Sequence, residues 1–178
     1  MLFIVMDYQY YSLHQIVQLN RRGINLYYIR KISWQLMIFL KRLENLGIIH
    51  TDLKPGNIMV EEDKSLHIKV IDFNSSMFME GPHYKLVQSL YYRAPEVTLG
   101  LNYDYMIDMW SVGCIIFELH HGSPLFVCKD SAQLISKICN LFGNMPEEMI
   151  AAGTQSGLYY TLKNNAYVLK QNEYIVSF

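Results

Sequence analysis

Apolar and polar residues recur along this chain with two different periods. From Leu26 to Leu46 the apolar residues Ile29, Ile32, Leu36, Leu40 and Leu43 return at steps of three and four. That spacing is one stripe of a helix, with Arg30, Lys31, Gln35, Lys41, Arg42 and Glu44 off the stripe, and Gly47 is placed to stop it. Between Leu66 and Val70 the period drops to two, which predicts a strand; with Ile58-Met59-Val60 and the polar 61–65 it reads as a hairpin. Tyr11 to Gln18 predicts a short helix closed by Asn20-Arg21-Arg22-Gly23. Asp104 to Leu119 is apolar nearly all round, which predicts a helix buried in the middle of its domain. Ser131 to Leu141 is amphipathic, with Leu134, Ile138 and Leu141 expected inward, and Pro146 opens a short helix that ends at Gly153. Met1 to Met6 is apolar but too short to span a membrane, so it reads as a buried strand. Beyond Leu162 the pattern fades, and Asn164-Asn165 and Gln171-Asn172 read as loop.

Composition narrows this picture only a little. At 178 residues and 51% hydrophobic, the chain is a globular domain or part of one. A net charge of −1 gives no argument for nucleic acid or an anionic membrane as partner. Cys114, Cys128 and Cys139 form no C-x-x-C pair and are odd in number, as expected of buried thiols in a reducing, nuclear or cytoplasmic compartment.

The candidate chemistry sits in His50-Thr51-Asp52-Leu53-Lys54-Pro55-Gly56-Asn57. Asp52 can accept a proton or orient a hydroxyl, Lys54 can neutralise a phosphate oxygen, and the Asn57 amide oxygen can hold a divalent cation. Pro55 and Gly56 argue against a helix here. Taken alone, D-x-K-x-x-N also suits a plain polar surface loop. The hairpin that follows delivers a second acid, in Ile71-Asp72-Phe73-Asn74, back beside this loop. The loop then resembles the protein-kinase catalytic loop, Asp72-Phe73-Asn74 resembles D-F-G, Tyr92-Arg93-Ala94-Pro95-Glu96 resembles Y-R-A-P-E, and Asp108-Met109-Trp110-Ser111-Val112-Gly113-Cys114 resembles D-M-W-S-x-G-C. Gln88-Ser89-Leu90-Tyr91-Tyr92-Arg93, with Leu99-Gly100-Leu101 after it, is similar to the dual-specificity tyrosine-regulated and homeodomain-interacting serine/threonine kinases.

The resemblance implies a mainly α-helical kinase large lobe with small β-hairpins, divided as a hinge strand (1–10), the lobe (11–163) and an irregular tail (164–178). It implies ATP and Mg²⁺ as cofactors and a protein serine or threonine as substrate, with phosphorylation proline-directed. Asp52 would orient the hydroxyl, Lys54 would meet the γ-phosphate, and Asn57 and Asp72 would hold Mg²⁺. Met6 would be gatekeeper, Asp7 and Gln9 would hydrogen-bond adenine, and Met59 and Ile71 would line its pocket. His50 and Phe73 would stack as a regulatory pair, Ser89 favours serine/threonine over tyrosine specificity, and Asp108 would hold the catalytic-loop backbone.

Departures from the family pattern set further expectations. The 178 residues contain no G-x-G-x-x-G, no phosphate-binding strand lysine and no helix-C glutamate. A truncated lobe with little catalysis, acting as a protein-binding module, is therefore the alternative, with self-association through an exposed small-lobe interface. Glu96 is expected to lack its arginine partner. Thr51 stands at the catalytic-loop arginine, and Asn74, at the D-F-G glycine, is expected to tolerate positive φ. Leu86 stands where relatives carry a phosphorylated tyrosine and Leu90 where they carry an arginine, leaving Arg93. Leu86 and Leu90 are expected to pack together, so that the segment orders without phosphate.

Overall fold

The structure, a computed structural model, describes residues 11–61, 66–164 and 166–170. Its order is β1 (Tyr11–Ser12), α1 (Leu13–Leu19), α2 (Leu26–Asn45), β2 (Ile48–Ile49), β3 (Ile58–Val60), β4 (Ile68–Val70), β5 (Met77–Phe78), α3 (Pro95–Leu99), α4 (Met106–His121), α5 (Ser131–Phe142), α6 (Glu147–Ala152), α7 (Ser156–Tyr159), β6 (Tyr160–Lys163) and β7 (Ala166–Leu169). Helices carry far more of the described residues than strands do, and the strands form three small sheets, one of three strands and two of two. The hinge strand expected over 1–10 lies outside the described residues.

Local chemistry explains where the long elements begin and end. Ser12 caps α1 with a reciprocal bond to Gln15, and Asn25 caps α2 by accepting from the Tyr27 N–H. Gly47 turns the chain out of α2 at φ 70°, a conformation most side chains avoid. The α2 stripe seats Ile29, Ile32, Leu36 and Leu43 in the core against α4, with Leu40 half-buried at its border. Burying four aliphatic side chains contributes roughly 6–12 kcal/mol toward folding before entropy is subtracted. The β3–β4 hairpin pairs Ile58 with Val70 and Val60 with Ile68, and β1 adds antiparallel to the other edge of β3.

Several expectations are corrected. Pro55 does not exclude helical geometry: it occupies the first position of a single 3-10 turn, Pro55–Asn57, where its missing N–H is harmless. Leu141 is exposed at the C-terminal end of α5, where the inward stripe runs out at Ile138 and Cys139. In α4, Ile107, Val112, Ile115 and Leu119 are buried, but Met106, Met109, Gly113 and Phe117 form an exposed stripe that no described element covers. The tail expected to be irregular from 164 instead contributes β7, which pairs with β6 around a turn where Asn164 takes φ 49°.

Candidate active site

Helix α2 delivers the chain through Gly47 into β2, which pairs with β5 and so ties the start of the loop to the segment after Asp72. The loop then hangs from one buried acid. The carboxylate of Asp108, in the first turn of α4, accepts from the His50 N–H at 2.7 Å and the Thr51 N–H at 3.0 Å. Burial pushes the Asp108 carboxyl up to about 6 even though both N–H bonds pull it down. Thr51 is fully buried at φ 69°, a costly conformation for a β-branched residue, and its hydroxyl donates to the Ser75 carbonyl at 2.8 Å. Asp72 (φ 67°) and Gln88 (φ 65°) are also left-handed, so three strained non-glycine residues gather around this loop. The positive φ falls on Asp72 and not on Asn74, contrary to expectation, so the asparagine carries no such strain.

Asp52 is the most heavily bonded residue of the loop. Its Oδ2 lies 2.7 Å from Lys54 Nζ and 3.3 Å from Asn57 Nδ2; its Oδ1 accepts from the Ser89 hydroxyl at 2.7 Å and the Ser89 N–H at 3.2 Å. Lys54 Nζ also reaches Ser89 Oγ at 3.1 Å. Burial raises the Asp52 pKa, but the bonds from Lys54 and Ser89 and the lysine charge outweigh it, holding the carboxylate below its ordinary range. Asp52 is therefore an ionised acceptor and a weak base near neutrality.

Asn57 Nδ2 donates to the Asp52 carbonyl at 2.9 Å as well, so Oδ1 is the amide atom left without a described donor. The Ile71 N–H donates to the Asn57 carbonyl at 2.9 Å, bringing the main chain before Asp72 alongside Asn57. Asp72 is exposed, and its charge reaches His50. Among the described residues no three His, Cys, Asp or Glu side chains form a metal cage. One carboxylate and one amide oxygen still suit Mg²⁺, which keeps waters and takes phosphate oxygens for its remaining positions.

His50 and Phe73 meet, but edge to face instead of stacked: their centroids are 4.8 Å apart at 61°. Phe39 of α2 closes a triangle with them at 6.3 and 6.2 Å. Phe39 shares the three- and four-residue spacing of the α2 stripe and is half-buried at its border, so periodicity marks it as a core residue and only the folded chain brings it to His50 and Phe73. His50 is buried, which lowers its pKa despite the Ile71 carbonyl and the charges of Asp52 and Asp72, so it is neutral at pH 7. Met59 is half-buried on β3 and Ile71 is exposed beside Asp72, while Met6, Asp7 and Gln9 lie outside the described residues.

The segment leading to α3 is fixed by two residues. Gln88 is buried; its Nε2 donates to the Ile107 carbonyl and Ser111 Oγ, both at 2.8 Å, and its Oε1 accepts from the Ala94 N–H at 2.9 Å. Its own carbonyl is turned to Arg93, accepting from Nη2 at 2.9 Å and Nε at 3.3 Å. Arg93 Nε also donates to the Val87 carbonyl at 2.9 Å and Nη1 to Ser131 Oγ at 3.2 Å. Gln88's role was not legible in the sequence, where it was only the first letter of a motif. The expected Leu86–Leu90 packing is corrected: Leu86 is 66% exposed, whereas Leu90 leans on the main core. Val87 is buried, while Leu86 sits at a bend just before it and is left in solvent. Glu96 is half-buried with no cationic partner among the described residues, and burial raises its pKa, with Asp104 adding to the rise.

The family model described as "Protein kinase domain" matches residues 1–165. The chain is 41% identical over 158 residues to a probable dual specificity protein kinase YAK1 homolog of Encephalitozoon cuniculi, covering 88% of this chain and 38% of that protein. It is 38% identical over 164 residues to the serine/threonine-protein kinase ppk15 of Schizosaccharomyces pombe, covering 92% and 30%. It is 35% identical over 170 residues to dual specificity tyrosine-phosphorylation-regulated kinase 2 of Drosophila melanogaster, covering 88% and 24%. The chain thus spans well under half the length of each of these curated relatives.

Proposed function

The chain belongs to the protein kinase family, and from that premise we propose that it transfers the γ-phosphoryl group of Mg-ATP to a protein serine or threonine that is followed by proline. The observation that carries this is the Asp52 carboxylate, held at 2.7 Å by both Lys54 and the Ser89 hydroxyl. A substrate hydroxyl donates to Asp52 in this frame, and its oxygen is aimed at the γ-phosphorus. The new O–P bond forms as the bond to ADP breaks. Asp52, kept below the usual carboxylate range, orients the hydroxyl and takes its proton only late in the transfer. Lys54 lies where it can neutralise oxygens of the transferring group. Bound Mg²⁺, held by Asp72 and Asn57 Oδ1, would screen the phosphate charge.

Proline selection follows from Gln88. Its carbonyl is occupied by Arg93, so a substrate N–H laid against this stretch finds no acceptor there. An unpaired N–H costs roughly 1–3 kcal/mol, and proline has none to lose. The relatives are all named as kinases, which gives the non-catalytic alternative no support. Self-association remains part of the proposal, to be read by sedimentation.

The test is phosphate incorporation from labelled Mg-ATP into a Ser-Pro peptide and its Ser-Ala counterpart. We expect kcat/KM to favour Ser-Pro by about fivefold or more, and Asp52→Asn to abolish incorporation into both. Without a G-x-G-x-x-G segment among its 178 residues, this chain alone should turn over far below the ~1–100 s⁻¹ usual for kinases. Equal use of both peptides would remove the proline reading, and full activity in Asp52→Asn would remove the catalytic one.

A further inference from the structure

A cavity of about 660 Å³ opens beside the Gln88–Arg93 shelf and has no part in the chemistry above. Its walls are Val97, Leu101, Tyr103 and Tyr159, with Leu86 and Lys85 toward the activation segment. The volume lies within the roughly 300–1,000 Å³ of sites that enclose small ligands. Two features tie it to the shelf. Ser131, also on its wall, is bonded to Arg93 Nη1 at 3.2 Å. Leu86 is three residues from Ser89, hence no more than about 11 Å from the residue that touches Asp52.

Resting on the reading that a Ser/Thr-Pro substrate lies across Asp52 and Gln88, we infer that this cavity receives the side chain of the second or third residue after the acceptor and selects an apolar one. An extended peptide advances about 3.3 Å per residue, so from a proline at Gln88 the next two residues arrive at Leu86. The lining chemistry decides the class. Leu86 is exposed although a neighbouring apolar surface exists, which leaves it free to close on an incoming apolar group. No acidic side chain lines the cavity among the described residues, whereas the Lys85 ammonium does. A basic side chain is therefore rejected there, and an acidic one is tolerated at the Lys85 edge.

The 178-residue chain is titrated with fluorescent Ser-Pro peptides that carry Phe, Gly, Glu or Lys at the third position after serine. A second set carries benzoylphenylalanine there for photo-cross-linking. We expect Phe to bind about tenfold or more tighter than Gly and the cross-link to map to Leu86, Leu101 or Tyr159. Leu86→Glu, a surface change that should not disturb folding, should bring the Phe/Gly ratio toward one. Lys85→Glu should invert the order of Glu and Lys. Equal binding of Phe and Gly, cross-links on the α2 face, cross-links between two copies of the chain, or no binding by any peptide would overturn the inference. A preference for Phe that persists when Ser-Pro is changed to Ser-Ala would leave it standing while removing the proline reading.

Discussion

Replacing Gln88 by Glu exchanges one NH2 for one oxygen in a buried site, and the structure fixes what that should do. The lost Nε2 made two bonds of 2.8 Å, to the Ile107 carbonyl and Ser111 Oγ. A protonated glutamic acid can still donate one of them, so at low pH the variant should be about 1–2 kcal/mol less stable than wild type. Ionising it sets a buried charge against the Ile107 carbonyl, which raises the folded pKa above the unfolded value of about 4.3. The folded variant then holds its proton where the unfolded chain has lost it. Its deficit therefore grows as pH rises from about 4 and levels off above the folded pKa. A rise of about two units adds roughly 3 kcal/mol, so the deficit near pH 7.5 should be about 4–5 kcal/mol. For a chain of this size that is a drop in Tm of very roughly 2–8 °C at pH 4 and 8–20 °C at pH 7.5, read by circular dichroism melts of both proteins. Every other titrating group is shared and cancels in the difference. A constant Tm gap across this pH range would refute the bonded, buried environment assigned to Gln88.

Other residues give independent checks. The Asp108 carboxyl, at about 6 folded against about 3.9 unfolded, contributes stability that is complete below pH ~4 and is lost as pH rises through 6. Wild type should accordingly lose roughly 3 kcal/mol relative to Asp108→Asn over that window, and parallel denaturation curves would contradict this. Tyr92→Phe removes the 2.7 Å bond to the buried Glu118 carboxylate and should cost about 2 kcal/mol in urea unfolding; a loss below a few tenths would sink that assignment. Arg93 is already engaged by Val87, Gln88 and Ser131, so phosphatase treatment should leave hydrogen-exchange protection of residues 87–93 unchanged.

Much of the framework was legible in the sequence because short-range physics writes it there. The α2 stripe, its Gly47 stop and the β3–β4 alternation announce themselves through period and turn chemistry, and the structure places them within a residue or two of expectation. The motif residues Asp52, Lys54, Asn57 and Ser89 could be named because their chemistry is local to a spacing. The C-terminal hairpin could not: Asn164 is a turn residue in any setting, and only the pairing of Tyr160 with Leu169 makes its flanks strands.

What the tertiary structure alone decided is which polar atoms meet across distance in the chain. Asp108 is 58 residues from the His50 N–H it accepts from, and Gln88 is 23 residues from Ser111. Nothing in the local pattern distinguishes a buried, bonded glutamine from an exposed one. The same holds for Leu86 and Leu90: both are leucine, and their separate fates follow from Val87 taking the inward position between Leu86 and the left-handed Gln88. The sequence by itself determined the helices, the loop and its reactive groups, since these depend on neighbours along the chain. Burial, left-handed backbone at Thr51, Asp72 and Gln88, and the hydrogen bonds that hold them depend on partners that only the folded chain brings within reach.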